Sequence, residues 1–132
     1  KDLHNGNPPK NYNFVRKLIP GKERMLCLDE KTGKILWSHQ WDCPYTTVAA
    51  YAIGPRVTPT VDDDRVYALG AEGNFFCFNS QDGNVIWQRD FKEDYKLNIP
   101  EWGTAAHLRA AGLSLRSTPS CCYHLRQDAQ LQ

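Results

Sequence analysis

The stretch CLDEKTGKILW, Cys27 to Trp37, returns fifty residues later as CFNSQDGNVIW, Cys77 to Trp87. At that offset Met25 pairs with Phe75, Leu26 with Phe76, Leu28 with Phe78, Leu36 with Ile86 and Trp41 with Phe91. Gly33 and Gly83 stay in register, and apolar positions meet apolar positions over seventeen residues. A unit repeated at this spacing cannot bury its apolar faces alone. The chain is therefore restricted to architectures that stack copies of one supersecondary unit.

Each copy has strand chemistry. RMLCLD and NFFCFN are short apolar runs bounded by turn formers, and KILWSHQW and NVIWQRDF are rich in β-branched and aromatic residues. The linkers EKTG and SQDG place Gly33 and Gly83 where the chain needs a positive φ. Asp29 and Asn79 stand at the strand exits, where a short polar side chain can bind turn amides. Each unit reads as a β-hairpin. Ahead of the second copy lie RVTPTVD, the turn DDD, RVYALG and the turn AEG. Together these predict four strands near 56–61, 65–70, 73–79 and 84–91. Pro59 argues against a fully paired central strand at the first of them.

Four antiparallel strands recurring at about 40–50 residues are the mark of a propeller blade. The predicted fold is all-β: a β-propeller fragment with one complete four-stranded antiparallel blade, 56–91, and half of the preceding blade, the hairpin 24–41. Residues 1–23 read as an irregular N-terminal segment within which no apolar signal core is found. Residues 42–55 and 92–103 read as ordered loops crossing a propeller face. From His107 the strand–turn rhythm stops: 107–132 holds three arginines, no lysine and one acid, Asp128. A helical reading of TAAHLRAAGLSLR is broken by Gly112. This tail is expected to be either frameshifted sequence or a divergent, disordered terminus.

CLDEKTGKILW resembles the blade motif of the pyrroloquinoline-quinone-like (PQQ-like) propeller repeats. Asp29, Thr32, Gly33, Lys34 and Trp37 match that motif, with Cys27 at its small-residue position. The second copy keeps Gly83 and Trp87 but carries Asn79, Asp82 and Asn84 where the family prefers Asp, Thr and Lys. GPRVTPTVDDDRVYALGAEGNFFCFN is similar to the family as well, with Asp63 where a glycine is common. The resemblance covers about 14–106 and implies a larger propeller with Trp37 and Trp87 docking blade to blade. It also implies either a quinone-dependent dehydrogenase or a non-catalytic binding platform, and it favours a periplasmic or extracellular setting. A sensor propeller joined to a kinase or another domain is a third reading.

Composition limits the alternatives. The 132 residues carry a net charge of +1, with dispersed basic residues, so no nucleic-acid surface is expected. No apolar run reaches the roughly 18 residues of a membrane span. The five cysteines form no paired CxxC motif, and Cys27 and Cys77 suit buried apolar positions. The family's dehydrogenases clamp their quinone with adjacent cysteines, and Cys121–Cys122 resembles that pair only in adjacency, without the flanking motif. The run from Asp62 to Asp64 fits a hairpin turn better than a calcium loop. His4, His39, His107 and His124 have no carboxylate or nucleophile at a readable spacing, so no catalytic site and no cofactor is expected.

The residues expected to matter fall into two sets. Trp37, Trp87, Gly33, Gly83, Asp29 and Thr32 belong to blade docking and turns. Tyr45, Tyr51, Tyr95 and Trp102 are the loop aromatics expected to be exposed for binding, the alternative being that they cover blade ends. The expected partners are the remaining blades of a larger propeller or another protein. With so few units the chain alone is expected to be marginal, oligomeric or aggregation-prone.

Overall fold

The computed structural model describes residues 18–46, 54–100 and 103–105, together with the backbone of 121–128. Its elements are β1 (Lys22–Asp29), β2 (Ile35–Asp42), β3 (Thr60–Asp62), β4 (Arg65–Leu69), β5 (Asn74–Asn79), β6 (Val85–Asp90), the short helix α1 (Phe91–Tyr95) and β7 (Cys121–Asp128). The second sheet runs β3-β4-β5-β6, all antiparallel, which is the predicted four-stranded blade. Its first strand is shorter than expected, because Pro59 has no amide hydrogen to donate to a ladder.

The two repeat hairpins close in the same way. Gly33 donates to Asp29 O at 2.8 Å and Gly83 to Asn79 O at 3.0 Å, with φ of 68° and 72°. The ladder slips at Cys27/Leu28 in one copy and at Cys77/Phe78 in the other, the same repeat position. The side chains that brace the turns differ. Asp29 Oδ1 accepts from Thr32 N (2.7 Å) and Thr32 Oγ1 (2.6 Å), and these bonds hold its carboxyl below the usual range. In the second copy Asn79 accepts from Gln81 N and Asp82 from Asn84 N.

Two expectations are corrected here. The chain after β6 is not wholly loop: Asp90 caps α1 by accepting from Lys92 N and Glu93 N, and Lys96 ends it in the left-handed region. Nor is the tail without structure throughout. Residues 121–128 pair antiparallel with β1, from Lys22 opposite Asp128 to Asp29 opposite Cys121, so the first sheet has order β2-β1-β7. The free edge of β1 offers an unsatisfied row of amides and carbonyls, and a second strand satisfies it. The helical reading of 104–116 falls almost wholly outside the described residues.

The two sheets pack face to face. Met25, Cys27 and Trp37 of the first meet Val66, Ala68, Phe76 and Phe78 of the second, with Trp41 and Val61 at the margin. Strand alternation puts Glu23, Met25 and Cys27 on one face of β1, and Trp37, His39 and Trp41 join it from β2.

Candidate functional site

The junction between the sheets is centred on Trp37. Its ring is 8% exposed, and its Nε1 donates to Ser80 O across the interface at 3.0 Å. The ring lies over Gly83, where a Cβ would come within 2.5 Å of Trp37 Cδ2 and Cε3. Gly83 is therefore needed twice, for its positive φ and for the space the indole occupies. His39 sits on Phe76 and Phe78 at centroid distances of 5.7 and 5.1 Å, and Trp41 on Phe76 at 4.6 Å. Burial lowers the His39 pKa, so the ring acts as an aromatic here.

A polar lock lies beside this apolar seam. Glu23 is fully buried, and its Oε1 accepts from Ala71 N (3.0 Å) and Tyr45 Oη (3.3 Å). Burial pushes its carboxyl pKa up, against the opposing pull of these bonds. Glu23 Oε2 and Trp41 Nε1 make no hydrogen bond of full geometry among the described residues. Glu72, 2% exposed, accepts from Thr46 N (2.7 Å) and Thr46 Oγ1 (2.8 Å) and pairs with Lys92 Nζ. The turn from Gly70 to Gly73 thus ties the exit of β2 to the second sheet. Gly70 is fixed by Glu23, whose carboxylate fills the place of a Cβ.

The far face of the second sheet repeats the docking face of the first. Adding fifty to Met25, Cys27, Trp37, His39 and Trp41 gives Phe75, Cys77, Trp87, Arg89 and Phe91. The ladder places Phe75 opposite Arg89 and Cys77 opposite Trp87, on the side away from the junction. Trp87 is half-buried against Phe75 (5.2 Å, edge-on) and Tyr67 (6.0 Å), and Phe75 meets Phe91 at 5.4 Å. No second sheet covers this face among the described residues. Instead Phe75, Trp87, Arg89, Phe91, Tyr95 and Leu97 line an open groove of about 520 Å³.

The predicted residues divide accordingly. Trp37 and Gly83 lie in the junction, whereas Gly33 has open space where a Cβ would point and serves its turn with Asp29 and Thr32. Trp87 stands in the groove. Of the loop aromatics, Tyr95 is 60% exposed and lines that groove. Tyr45 corrects the expectation of exposure: it is fully buried beneath Gly21, pairs with Ile19 and bonds Glu23. Tyr51 and Trp102, and the side chains of Cys121 and Cys122, lie outside the described residues. Glu23, Glu72 and Arg89 were not anticipated. A signal existed for Glu23, a charged residue in phase with Met25 and Cys27 on an apolar strand face. Among the described residues no group of three or more His, Cys, Asp or Glu is placed to hold a metal ion.

A family profile described as outer membrane protein assembly factor BamB, built on PQQ-like repeats, matches residues 7–105. No curated protein and no solved structure matches the chain.

Proposed function

Because this chain belongs to the PQQ-like repeat family described as outer membrane protein assembly factor BamB, we propose that it is a non-enzymatic propeller module that binds protein through its uncovered blade face. One observation carries the reading: four of the six groove residues, Phe75, Trp87, Arg89 and Phe91, are the repeat equivalents of Met25, Trp37, His39 and Trp41 on the face that docks the first sheet onto the second. Trp87 carries an indole N–H of the kind that Trp37 donates to Ser80 O, and a large aromatic with such a donor is the kind of anchor that dominates protein interfaces. Tyr95 and Leu97, both more than half exposed, enlarge the apolar area beside it. The occupant is either the next blade of a larger propeller or a separate protein, and no cofactor is needed for the role. The family's description as an assembly factor supports a protein-binding role and an exported, periplasmic or extracellular, setting. No helix among the described residues is long and apolar enough to cross a membrane.

The test is a photo-reactive phenylalanine at Tyr95, with a second at Lys31 in the exposed turn as control, in the protein as its own cell makes it. A protein adduct, or a cross-link to a further blade, is expected at 95 and not at 31, and Trp87→Ala should abolish it. Equal labelling at both positions would count against the reading. So would dye-linked dehydrogenase turnover after addition of pyrroloquinoline quinone and calcium.

A further inference from the structure

The edge of β1 away from β2 has an occupant that the repeat does not supply. On the corresponding edge of the second sheet β5 takes β4, with Arg65 opposite Asn79, Val66 opposite Phe78, Tyr67 opposite Cys77, Ala68 opposite Phe76 and Leu69 opposite Phe75. Counting back fifty residues from β4 gives Val15, Arg16, Lys17, Leu18 and Ile19 as the segment for β1. Ile19 is used differently. It prolongs the β1–β2 ladder, exchanging two backbone hydrogen bonds with Tyr45 at 2.9 Å. Leu18, the counterpart of the fully buried Ala68, is exposed. Arg16 and Lys17 stand where β4 has Val66 and Tyr67, so this segment has lost the apolar pattern as well.

β7 has that pattern at the matching register. It runs antiparallel to β1, as β4 does to β5, with Cys121 opposite Asp29, Cys122 opposite Leu28, Tyr123 opposite Cys27, His124 opposite Leu26 and Leu125 opposite Met25. In repeat terms Tyr123 takes the position of Tyr67, Leu125 that of Leu69 and Cys122 that of Val66. A slip of one residue would lose all three matches and move every position to the opposite face. These positions matter in the second sheet, where Tyr67 packs on Phe75 and Trp87 at 6.4 and 6.0 Å and Val66 is fully buried. The other end of β7 selects less. Asp128 opposite Lys22 is a favourable pairing, and Arg126 opposite Arg24 is an unfavourable one.

We propose that the edge of β1 away from β2 is a strand-accepting site selective for a β4-type sequence, and that residues 121–128 fill it as a stand-in for the second strand of the first blade. The unpaired amides and carbonyls of an edge supply the attraction for an added strand, and alternate side-chain positions supply its selectivity. The assignment is independent of what covers the Trp87 face.

Hydrogen exchange of the full chain, read by mass spectrometry over β1, tests it. Tyr123→Pro combined with His124→Pro removes a ladder amide whichever of the two faces β1. In that variant β1 should exchange at least about tenfold faster, while β4 and β5 keep their rates as a separately protected unit. Cys121→Arg, Cys122→Val and His124→Ala together convert 121–125 into the sequence of 65–69, and protection of β1 should equal or exceed that of the wild type. Added to the double-proline variant, acetyl-Asp-Arg-Val-Tyr-Ala-Leu-amide should restore slow exchange in β1, whereas the same peptide with Asp in place of Tyr should not. Unchanged exchange of β1 in the double-proline variant would overturn the proposal. So would loss of protection in the converted chain, or restoration by both peptides or by neither. A double-proline variant that also loosens β4 and β5 has lost its fold, and the converted chain then decides alone.

Discussion

Trp37 and Trp87 occupy the same place in two copies of one motif, yet among the described residues only Trp37 is docked, which makes the pair an internal experiment. Trp37→Ala removes an indole that is 8% exposed, its packing on Phe78 and its bond to Ser80 O. Truncating a buried Trp costs about 3–5 kcal/mol, of which the lost hydrogen bond supplies about 1. Trp87→Ala removes a half-buried ring with no sheet across from it among the described residues, and the lost burial predicts about 1–2 kcal/mol. Stabilities of ordinary domains run to about 5–15 kcal/mol, so the first loss is a large fraction and the second a modest one. Urea unfolding followed by far-ultraviolet circular dichroism reads the difference without relying on the deleted fluorophore. With a slope of about 2 kcal/mol per molar, Trp37→Ala should lower the midpoint by roughly 2 M and Trp87→Ala by roughly 0.5–1 M. Trp37→Phe should fall between them. Equal midpoint losses for the two alanine variants would refute the argument, because they would mean that both tryptophans are docked or that neither is.

The two glycines offer a parallel contrast. Gly33→Ala meets only the cost of its positive φ, about 1 kcal/mol, while Gly83→Ala must also displace the Trp37 ring and should cost at least about 2 kcal/mol more. Thermal midpoints that fall equally for both would contradict the close approach. Glu23 predicts a pH dependence whose sign follows from its raised pKa. Below the ordinary value of 4.5 both folded and unfolded states hold the proton. Above it the unfolded chain ionises first, the folded state binds more protons, and stability falls as pH rises through the folded pKa. Glu23→Gln should therefore gain on the wild type as pH increases over that window. A difference that is flat with pH, or that moves the other way, would dispose of the buried carboxyl as its source.

The repeat made the blade legible. Gly33 and Gly83 mark turns of the same backbone form, and alternation within NFFCFN separates Phe76 and Phe78, which face the junction, from Phe75 and Cys77, which face away. What could not be read was which of two equivalent tryptophans had a neighbour. That depends on a sheet-to-sheet contact that the motif carries identically in both copies. The loop position of Tyr45 leaves exposure and blade-end cover both open, and it is a buried carboxylate and the small Gly21 that make room for it inside. The pairing of β7 with β1 was hidden for another reason. It joins segments about a hundred residues apart in the chain, and strand partners at that separation leave no local pattern.

The central claim is that Trp87 belongs to a face built for docking that no other described residue of this chain covers. Hydroxyl-radical footprinting with mass spectrometry tests it directly, comparing oxidation of Trp37 and Trp87 in the dilute isolated chain and in the protein recovered from its own cell. The account predicts Trp37 protected in both, and Trp87 reactive in the isolated chain but protected in the cell-derived protein. Protection of Trp87 in the dilute monomer, or undiminished reactivity in the cell-derived protein, would contradict it.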